Sequence, residues 1–257
     1  MTQTEWENEM CIKILDLIEN ELYIDFRYLD VAISTLILTP KESLRSTATD
    51  GISLFFPPEQ ILRAFRSNPL FLNRAVLHSV FHCIFRHLWI RGNRDSDLWN
   101  LSCDIAVEWI IDSFDKKSVK RALSGIRTNI YNDFEKQNIP VTAANIYHYL
   151  LSDVTENPDR LNQLTMEFFT DDHRFWPKDP SRSPSAAKAG QSWDKISHRM
   201  EQELNLRGDH TASGAEAIKA QIKEGKSRRS YKDFLRKFTV LQEELHCDYD
   251  EFDLNYY

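Results

Sequence analysis

The sequence VLHSVFHCIFRHLW, residues 76–89, carries most of the structural information in this chain. Apolar side chains fill nearly every position around three histidines, which predicts a helix that is buried on almost all sides. His78 and His82 lie four residues apart, so they share one helix face on successive turns. If the helix continues without a break, His87 lies about 140° round the helix axis from His82, on a different face. We therefore predict that His87 has a packing or supporting role and does not bind the same metal ion.

Two imidazoles on successive turns of a helix can bind one metal ion, as they do in HExxH motifs. A buried imidazole needs a polar partner, and a metal ion is an efficient one. We therefore predict that His78 and His82 bind Zn²⁺. The alternative is a metal-free helical interaction domain in which these histidines are hydrogen-bonded core residues.

A third ligand has to come from another segment. The stretch NLSCDIAVEWI, residues 100–110, places Asp104 and Glu108 on one face of an apolar helix, where acids are unusual unless they are paired or bind a metal. Asp104 is the predicted third ligand, although a buried ion pair is the alternative. His173, in the stretch TDDHRFW, is the second candidate, with an ordinary loop histidine as its alternative.

The residue after the first histidine decides whether such a site hydrolyses peptides. In HExxH sites a glutamate at that position takes a proton from the zinc-bound water. Here the position is Ser79, and a hydroxyl is no base near neutral pH without another base beside it. Zinc binding without efficient hydrolysis is therefore expected, unless another base such as Glu108 replaces the missing carboxylate.

Composition narrows the class of protein. The 257 residues include 39 acidic and 32 basic side chains, a net charge of −7 that argues against a nucleic-acid partner. No apolar run reaches the ~18 residues of a membrane span, and the acidic N-terminus is unlike a signal peptide. Four cysteines without a CxxC pair are typical of reduced thiols. We predict a cytoplasmic protein with no membrane association.

The remaining pattern predicts a mainly α protein (α+β). Asp50-Gly51 separates two short β-prone runs within residues 44–56, which predicts a β-hairpin beside the histidine helix. Residues 177–192 are rich in proline and poor in apolar bulk, which is typical of a flexible loop or linker. It would separate a domain at 1–176 from a charged helical segment at 193–257, whose last helix lies around residues 231–245.

In its motifs and their order, the chain resembles the N-terminal metallopeptidase-like domain of bacterial proteins that carry a von Willebrand factor A-like domain. The matching segments are, in order, FRYLDVAISTL, TATDGISLFF, LNRAVLHSVFHCIFRHLW, LWNLSCDIAVEWII, DDHRFW and YKDFLRKFTVLQEE…DEFDLNYY. They extend over nearly the whole chain, and the histidine helix is the most specific of them.

The resemblance implies a zincin-like fold with His78 and His82 as zinc ligands and Ser79 in place of the family's glutamate. It matches Asp104 to an acidic position, places Glu108 where asparagine is common, and matches Asp172-His173 to a recurring Asp-His pair. It implies that an A-like domain would follow DEFDLNYY, so that this chain resembles a fragment without it, and it implies a MoxR-type AAA+ ATPase as partner. It also implies that the 44–56 hairpin holds extended peptide by strand addition. The expected function is that of a pseudoenzyme that binds a peptide or a protein.

Overall fold

The computed structural model describes residues 2–206 and 213–227. That part of the chain is mainly helical, with one small sheet. The helices are α1 (Gln3–Asp25), α2 (Asp30–Ile33), α3 (Pro58–Ser67), α4 (Pro69–Ile84), α5 (His87–Ile90), α6 (Ser96–Ser113), α7 (Gly125–Lys136), α8 (Ala143–Leu150), α9 (Asp153–Glu156), α10 (Pro158–Phe168), α11 (Pro184–Leu206) and α12 (Ser213–Ser227). The predicted fold class is confirmed, whereas the helix predicted around residues 231–245 lies outside the described residues.

The sheet has the strand order β1-β3-β2-β4 and lies beside α4. Its strands are β1 (Ile37–Pro40), β2 (Thr47–Thr49), β3 (Ser53–Phe56) and β4 (Asp171–Asp172). The predicted hairpin is the antiparallel pair β2–β3, and its turn is held by the Asp50 carboxylate, which accepts from the backbone N–H groups of Ile52 and Ser53. Strands β1 and β4 pair in parallel with β3 and β2.

The expectation that the hairpin holds peptide by strand addition is wrong for this arrangement. Both hairpin strands are interior, because β1 covers the free side of β3 and β4 covers the free side of β2. Strand addition needs an edge with unpaired N–H and C=O groups. On the side of the sheet order that lies beyond β2, the chain's own strand β4 already pairs with the hairpin.

Helix α4 is enclosed by the rest of the protein. Every residue from Leu72 to Ile84 is buried, and the helix contacts α1, α3, α6, α11 and β2. Pro69 at its first turn suits a position where the backbone N–H has no helical partner. Since no face of α4 from Leu72 onward meets water, the polar side chains of this part of the helix depend on partners inside the protein.

The histidine helix ends earlier than the sequence predicts. Arg86 has a left-handed backbone conformation with φ of 65°, and it separates α4 from the short helix α5. Its guanidinium pairs with Asp194 on α11 and lies 6.0 Å from the ring centre of Trp89. The break turns His87 back toward α4, a direction that an unbroken helix does not allow.

The loop predicted for residues 177–192 is wrong from Pro184 onward, where α11 begins. The lack of apolar bulk that suggested a linker instead allows close packing: Trp89 donates to the carbonyl of Ala186, and its ring lies against Gly190. Further along α11, the buried Trp193 donates to the carbonyl of Gly51 at 2.7 Å. A helix packed in this way belongs to the same core as α4.

None of the described helices combines the length and the apolar character needed to cross a bilayer.

Replacing Gly51 should destabilise the fold far more than replacing Gly92. Both residues have positive φ, 85° and 63°, so alanine at either site costs about 1–2 kcal/mol of backbone strain. A Cβ on Gly51 would also lie 2.6 Å from the Trp89 ring, whereas one on Gly92 meets nothing within 4 Å. We expect Gly51→Ala to lower the free energy of unfolding by about 2–5 kcal/mol, and Gly92→Ala to lower it only by the strain. Urea denaturation measures both, and equal losses would contradict the packing argument.

Candidate metal centre

The two histidines of α4 meet at their Nε2 atoms. Because His78 and His82 are one turn apart, their rings lie side by side, with centres 4.5 Å apart and Nε2 atoms 2.8 Å apart. Both side chains are completely buried. Their nitrogens therefore converge on one point in the interior of the protein.

Helix α6 supplies a carboxylate to the same point. Asp95 caps this helix by accepting from the N–H groups of Asp97 and Leu98, and α6 then packs along α4. Asp104 Oδ1 lies 3.4 Å from His78 Nε2 and 3.2 Å from His82 Nε2. The structure thus brings the predicted third ligand to the two histidines.

The segment around β4 supplies two more side chains. Asp171 Oδ1 lies 3.5 Å from His78 Nε2 and 3.7 Å from His82 Nε2. His173 Nε2 lies 3.0 Å from the Oδ1 atoms of both Asp104 and Asp171. His173, the alternative ligand, is therefore brought to the cluster as well, whereas Asp172 pairs with Arg174 at the surface.

Asp171 was missed by the sequence analysis. In an extended segment, residues i and i+2 point to the same side. Once His173 is a candidate ligand, Asp171 is therefore the residue that shares its side, and Asp172 is the residue that faces away. That alternation within TDDH was the available signal.

His78, His82, Asp104 and Asp171 form a buried cluster that could hold a metal ion. Ligand atoms around a tetrahedral zinc ion, each about 2.0–2.2 Å from the metal, stand about 3.3–3.6 Å apart. In the cluster the Nε2 atoms of the two histidines are 2.8 Å apart. Each of them lies 3.2 to 3.7 Å from the Oδ1 atoms of the two aspartates. Asp171 Oδ1 and His173 Nε2 are buried and have no hydrogen-bond partner among the described residues. The two atoms form an ion pair at 3.0 Å whose geometry is not that of a hydrogen bond, so each keeps an unused bonding direction.

Three of the four side chains, those of His78, His82 and Asp171, are also held by contacts on the side away from the centre of the cluster. His78 Nδ1 lies 2.9 Å from Glu108 Oε1, and His82 Nδ1 lies 2.9 Å from His87 Nδ1. The Ser79 hydroxyl donates to Asp171 Oδ2 at 3.1 Å. Such contacts fix the tautomer and orientation of metal-binding side chains. They leave the Nε2 atoms of His78 and His82, and Oδ1 of Asp171, directed toward the centre of the cluster.

Glu108 is tied into a network of charges. Its Oε2 pairs with Arg74 at 2.5 Å and with Arg127 at 2.6 Å, and both guanidiniums also pair with Asp112. These four side chains carry two positive and two negative charges and are almost completely buried. Both carboxylate oxygens of Glu108 are therefore engaged, one by His78 and one by the two arginines.

The carboxylates of the cluster are held ionised. Burial alone would raise the pKa of Asp171, but the charges of His173, His82 and His78 keep it well below its usual range. Burial likewise opposes ionisation of Asp104, yet His173 keeps its pKa below the usual range. These two carboxylates offer negative charge to a cation.

The histidines differ in their affinity for protons. Burial lowers the pKa of His82 to about 4, which leaves a neutral imidazole, the form that binds a metal ion, at neutral pH. Burial also acts against protonation of His173, but Asp104 and Asp171 raise its pKa to about 10. A metal ion entering the cluster would compete with the protons on such histidines, as metal binding generally does.

A cavity of about 730 Å³ reaches the cluster from the side of its carboxylates. Asp104, Asp171, His173 and Trp176 form its inner wall, and Phe169 lies at its outer part, where more than half of the side chain is exposed. His78 and His82 do not line the cavity. A molecule in the cavity therefore meets the two aspartates and His173 before the histidines of α4.

Comparisons with protein-family models, curated proteins and solved structures find no match to this chain. The function is therefore inferred from the geometry of the cluster.

Glu108→Gln should weaken metal binding about 10–100-fold, the usual effect of losing a partner behind a metal-binding histidine. The amide holds His78 less firmly, and the partial loss of ion pairing with Arg74 and Arg127 will also lower stability. Glu167→Gln is the matched control, because Glu167 pairs with Arg127 but does not contact His78. Competition with a chelator of known affinity measures binding, and thermal unfolding measures stability. Equal metal affinity in both variants would contradict the role of Glu108.

Proposed function

We propose that this chain is a zinc-binding, metallopeptidase-like module in which hydrolysis is impaired and which binds a peptide or a protein partner. One observation carries the proposal. A buried helix presents His78 and His82 to a common point, as HExxH helices do, while Ser79 stands where such helices carry a glutamate.

The donor set supports zinc. Imidazole nitrogens and carboxylate oxygens are ordinary zinc ligands, and structural and catalytic zinc sites both use them. The cluster contains no thiolate: the three described cysteines are buried, and none belongs to the cluster. When bound, zinc would polarise a carbonyl oxygen or a water molecule.

The hydrogen bonds around the cluster support impaired hydrolysis. A general base must reach the attacking water with a free lone pair. Ser79 uses its hydroxyl to hold Asp171, and Glu108 is turned toward His78 and the two arginines. Asp104 and Asp171 are themselves candidate ligands. Among the described residues, no carboxylate is therefore left in the cluster for proton transfer alone.

The cavity supports binding of a peptide or protein segment. Its lining combines apolar side chains, among them Leu161, Phe169 and Trp176, with charged side chains such as Arg174 and Lys178. A volume of about 730 Å³ suits a few side chains of a bound chain. Since β4 already pairs with β2, the hairpin has no free strand edge on this side. The partner would therefore bind through side chains in the cavity and not by strand addition.

We also propose the relationship to the metallopeptidase-like domains that precede A-like domains, because six segments occur in the same order. A MoxR-type AAA+ ATPase and the A-like domain are the proposed partners on the same ground. Co-purification of the chain with each of them tests this part separately.

The first test of the function is metal content. We expect about one Zn²⁺ per chain after growth with zinc and purification without chelators, and a drop of tenfold or more in His78→Ala or His82→Ala, because each removes a ligand. His198→Ala is the control, since His198 is exposed on α11. Elemental analysis gives the result. Metal content near zero in the wild type would favour the metal-free interaction domain instead.

The second test is proteolysis by wild type, Ser79→Glu and Ser79→Gln, each with and without a zinc chelator. A general base contributes about 10²–10⁴-fold to rate, so we expect zinc-dependent cleavage of unfolded proteins to be weak or absent except in Ser79→Glu. Ser79→Gln has the same size without the basic carboxylate, and circular dichroism shows whether the variants fold. Zinc-dependent cleavage by the wild type, lost in Glu108→Gln but not in Glu167→Gln, would favour an active peptidase with Glu108 as its base.

A further inference from the structure

Asp171 has two oxygens with different surroundings. Oδ2 accepts from the Ser79 hydroxyl at 3.1 Å, whereas Oδ1 has no hydrogen-bond partner among the described residues. The residue is only 1 % exposed, and Oδ1 lies 3.0, 3.5 and 3.7 Å from the Nε2 atoms of His173, His78 and His82. Oδ1 thus faces three imidazoles and forms an ion pair with His173, but it accepts no hydrogen bond of good geometry, which a buried carboxylate oxygen normally does.

We propose that Asp171 is a metal ligand that fills the coordination position which a catalytic zinc site keeps for water, and that Ser79 positions it there. The inference rests on the metal binding proposed above and goes beyond it, because it makes the metal centre closed. Catalytic zinc sites have three protein ligands and an open position, whereas structural sites are closed by a fourth. His78, His82 and Asp104 provide three ligands, and Asp171 provides the fourth.

Charge balance supports this ligand count. Two carboxylates cancel the double charge of a divalent metal ion, and burial of a charge without compensation is strongly unfavourable. Glu108 does not neutralise the metal ion, because Arg74 and Arg127 already neutralise the charges of Glu108 and Asp112. With Asp104 alone the centre would keep a positive charge, whereas Asp171 makes it neutral once the metal ion has displaced the proton from His173.

The backbone around Asp171 is fixed in the position that ligation requires. Thr47 and Ala48 of β2 pair with Asp171 and Asp172, and the Ser46 hydroxyl donates to the carbonyl of Thr170. The alternation of the strand turns Asp171 toward α4 and Asp172 toward Arg174. A metal bound by Asp171 would therefore join β4 to α4 and α6.

The cavity does not open directly onto the histidines of α4. Asp104, Asp171 and His173 line it, while His78 and His82 do not. A water molecule or an anion arriving through the cavity would have to displace one of these side chains to reach the metal.

The experiment replaces zinc with Co²⁺, whose visible absorption responds to coordination geometry, and adds azide as a small competing ligand. We expect the Co²⁺-loaded wild type to be unchanged by azide, because no position is open. Asp171→Ala should bind Co²⁺ more than 100-fold more weakly, a larger loss than the 10–100-fold that is typical for a supporting residue. Its remaining complex should respond to azide. Asp172→Ala is the matched control, one residue away and outside the cluster, and should behave as the wild type does.

Ser79→Ala tests the positioning role without removing a ligand. We expect Co²⁺ affinity to fall about 10–100-fold and azide to begin to change the spectrum. Its control is Ser102→Ala, because Ser102 is equally buried but donates to the carbonyl of Leu98. An azide response by the Co²⁺-loaded wild type would show an open position and overturn the inference while leaving metal binding intact. This result does not depend on whether any variant folds. Failure of the wild type to bind Co²⁺ or Zn²⁺ at all would overturn the proposed function and this inference with it.

Discussion

Burial of α4 on all sides from Leu72 to Ile84 is the constraint on which the rest of the structure depends. A helix enclosed on all sides cannot leave its polar atoms to water, so His78, Ser79 and His82 must be satisfied from within. Their partners come from α6, from α5 and from β4. The positions of these three elements around α4 are thus linked to the polar side chains that the helix carries.

The buried charges form two groups on opposite sides of His78, and the two groups share Glu108. Arg74, Arg127, Glu108 and Asp112 neutralise one another behind His78, while Asp104 and Asp171 face the imidazoles in front of it. Glu108 belongs to both groups, since one oxygen contacts His78 and the other contacts the arginines. This division explains how the protein can bury four carboxylates around one helix: each lies within ion-pair distance of an arginine or a histidine.

The sequence predicted well those features that depend on local periodicity. The spacing of His78 and His82, the face shared by Asp104 and Glu108, and the hairpin at Asp50-Gly51 all follow from repeats of 3.6 or 2 residues or from turn chemistry. It failed where long-range packing decides. The break at Arg86 depends on Asp194, which lies 108 positions later in the chain, and α11 forms because small residues fit against Trp89. Asp171 is a mixed case: the alternation within TDDH indicated which side it shares with His173, but the pairing with β2 decides that this side faces the histidines of α4.

The order of residues along the chain also has a consequence for synthesis on the ribosome. His78, His82 and Asp104 are made before Asp171, which follows Asp104 by 67 residues, and translating that stretch takes on the order of ten seconds. During this interval the nascent chain carries two imidazoles and one carboxylate without the side chains that close the cluster. If a metal ion were captured at that stage it would still hold solvent, and under the proposal that Asp171 closes the centre, arrival of β4 would be the step that removes its exchangeable water.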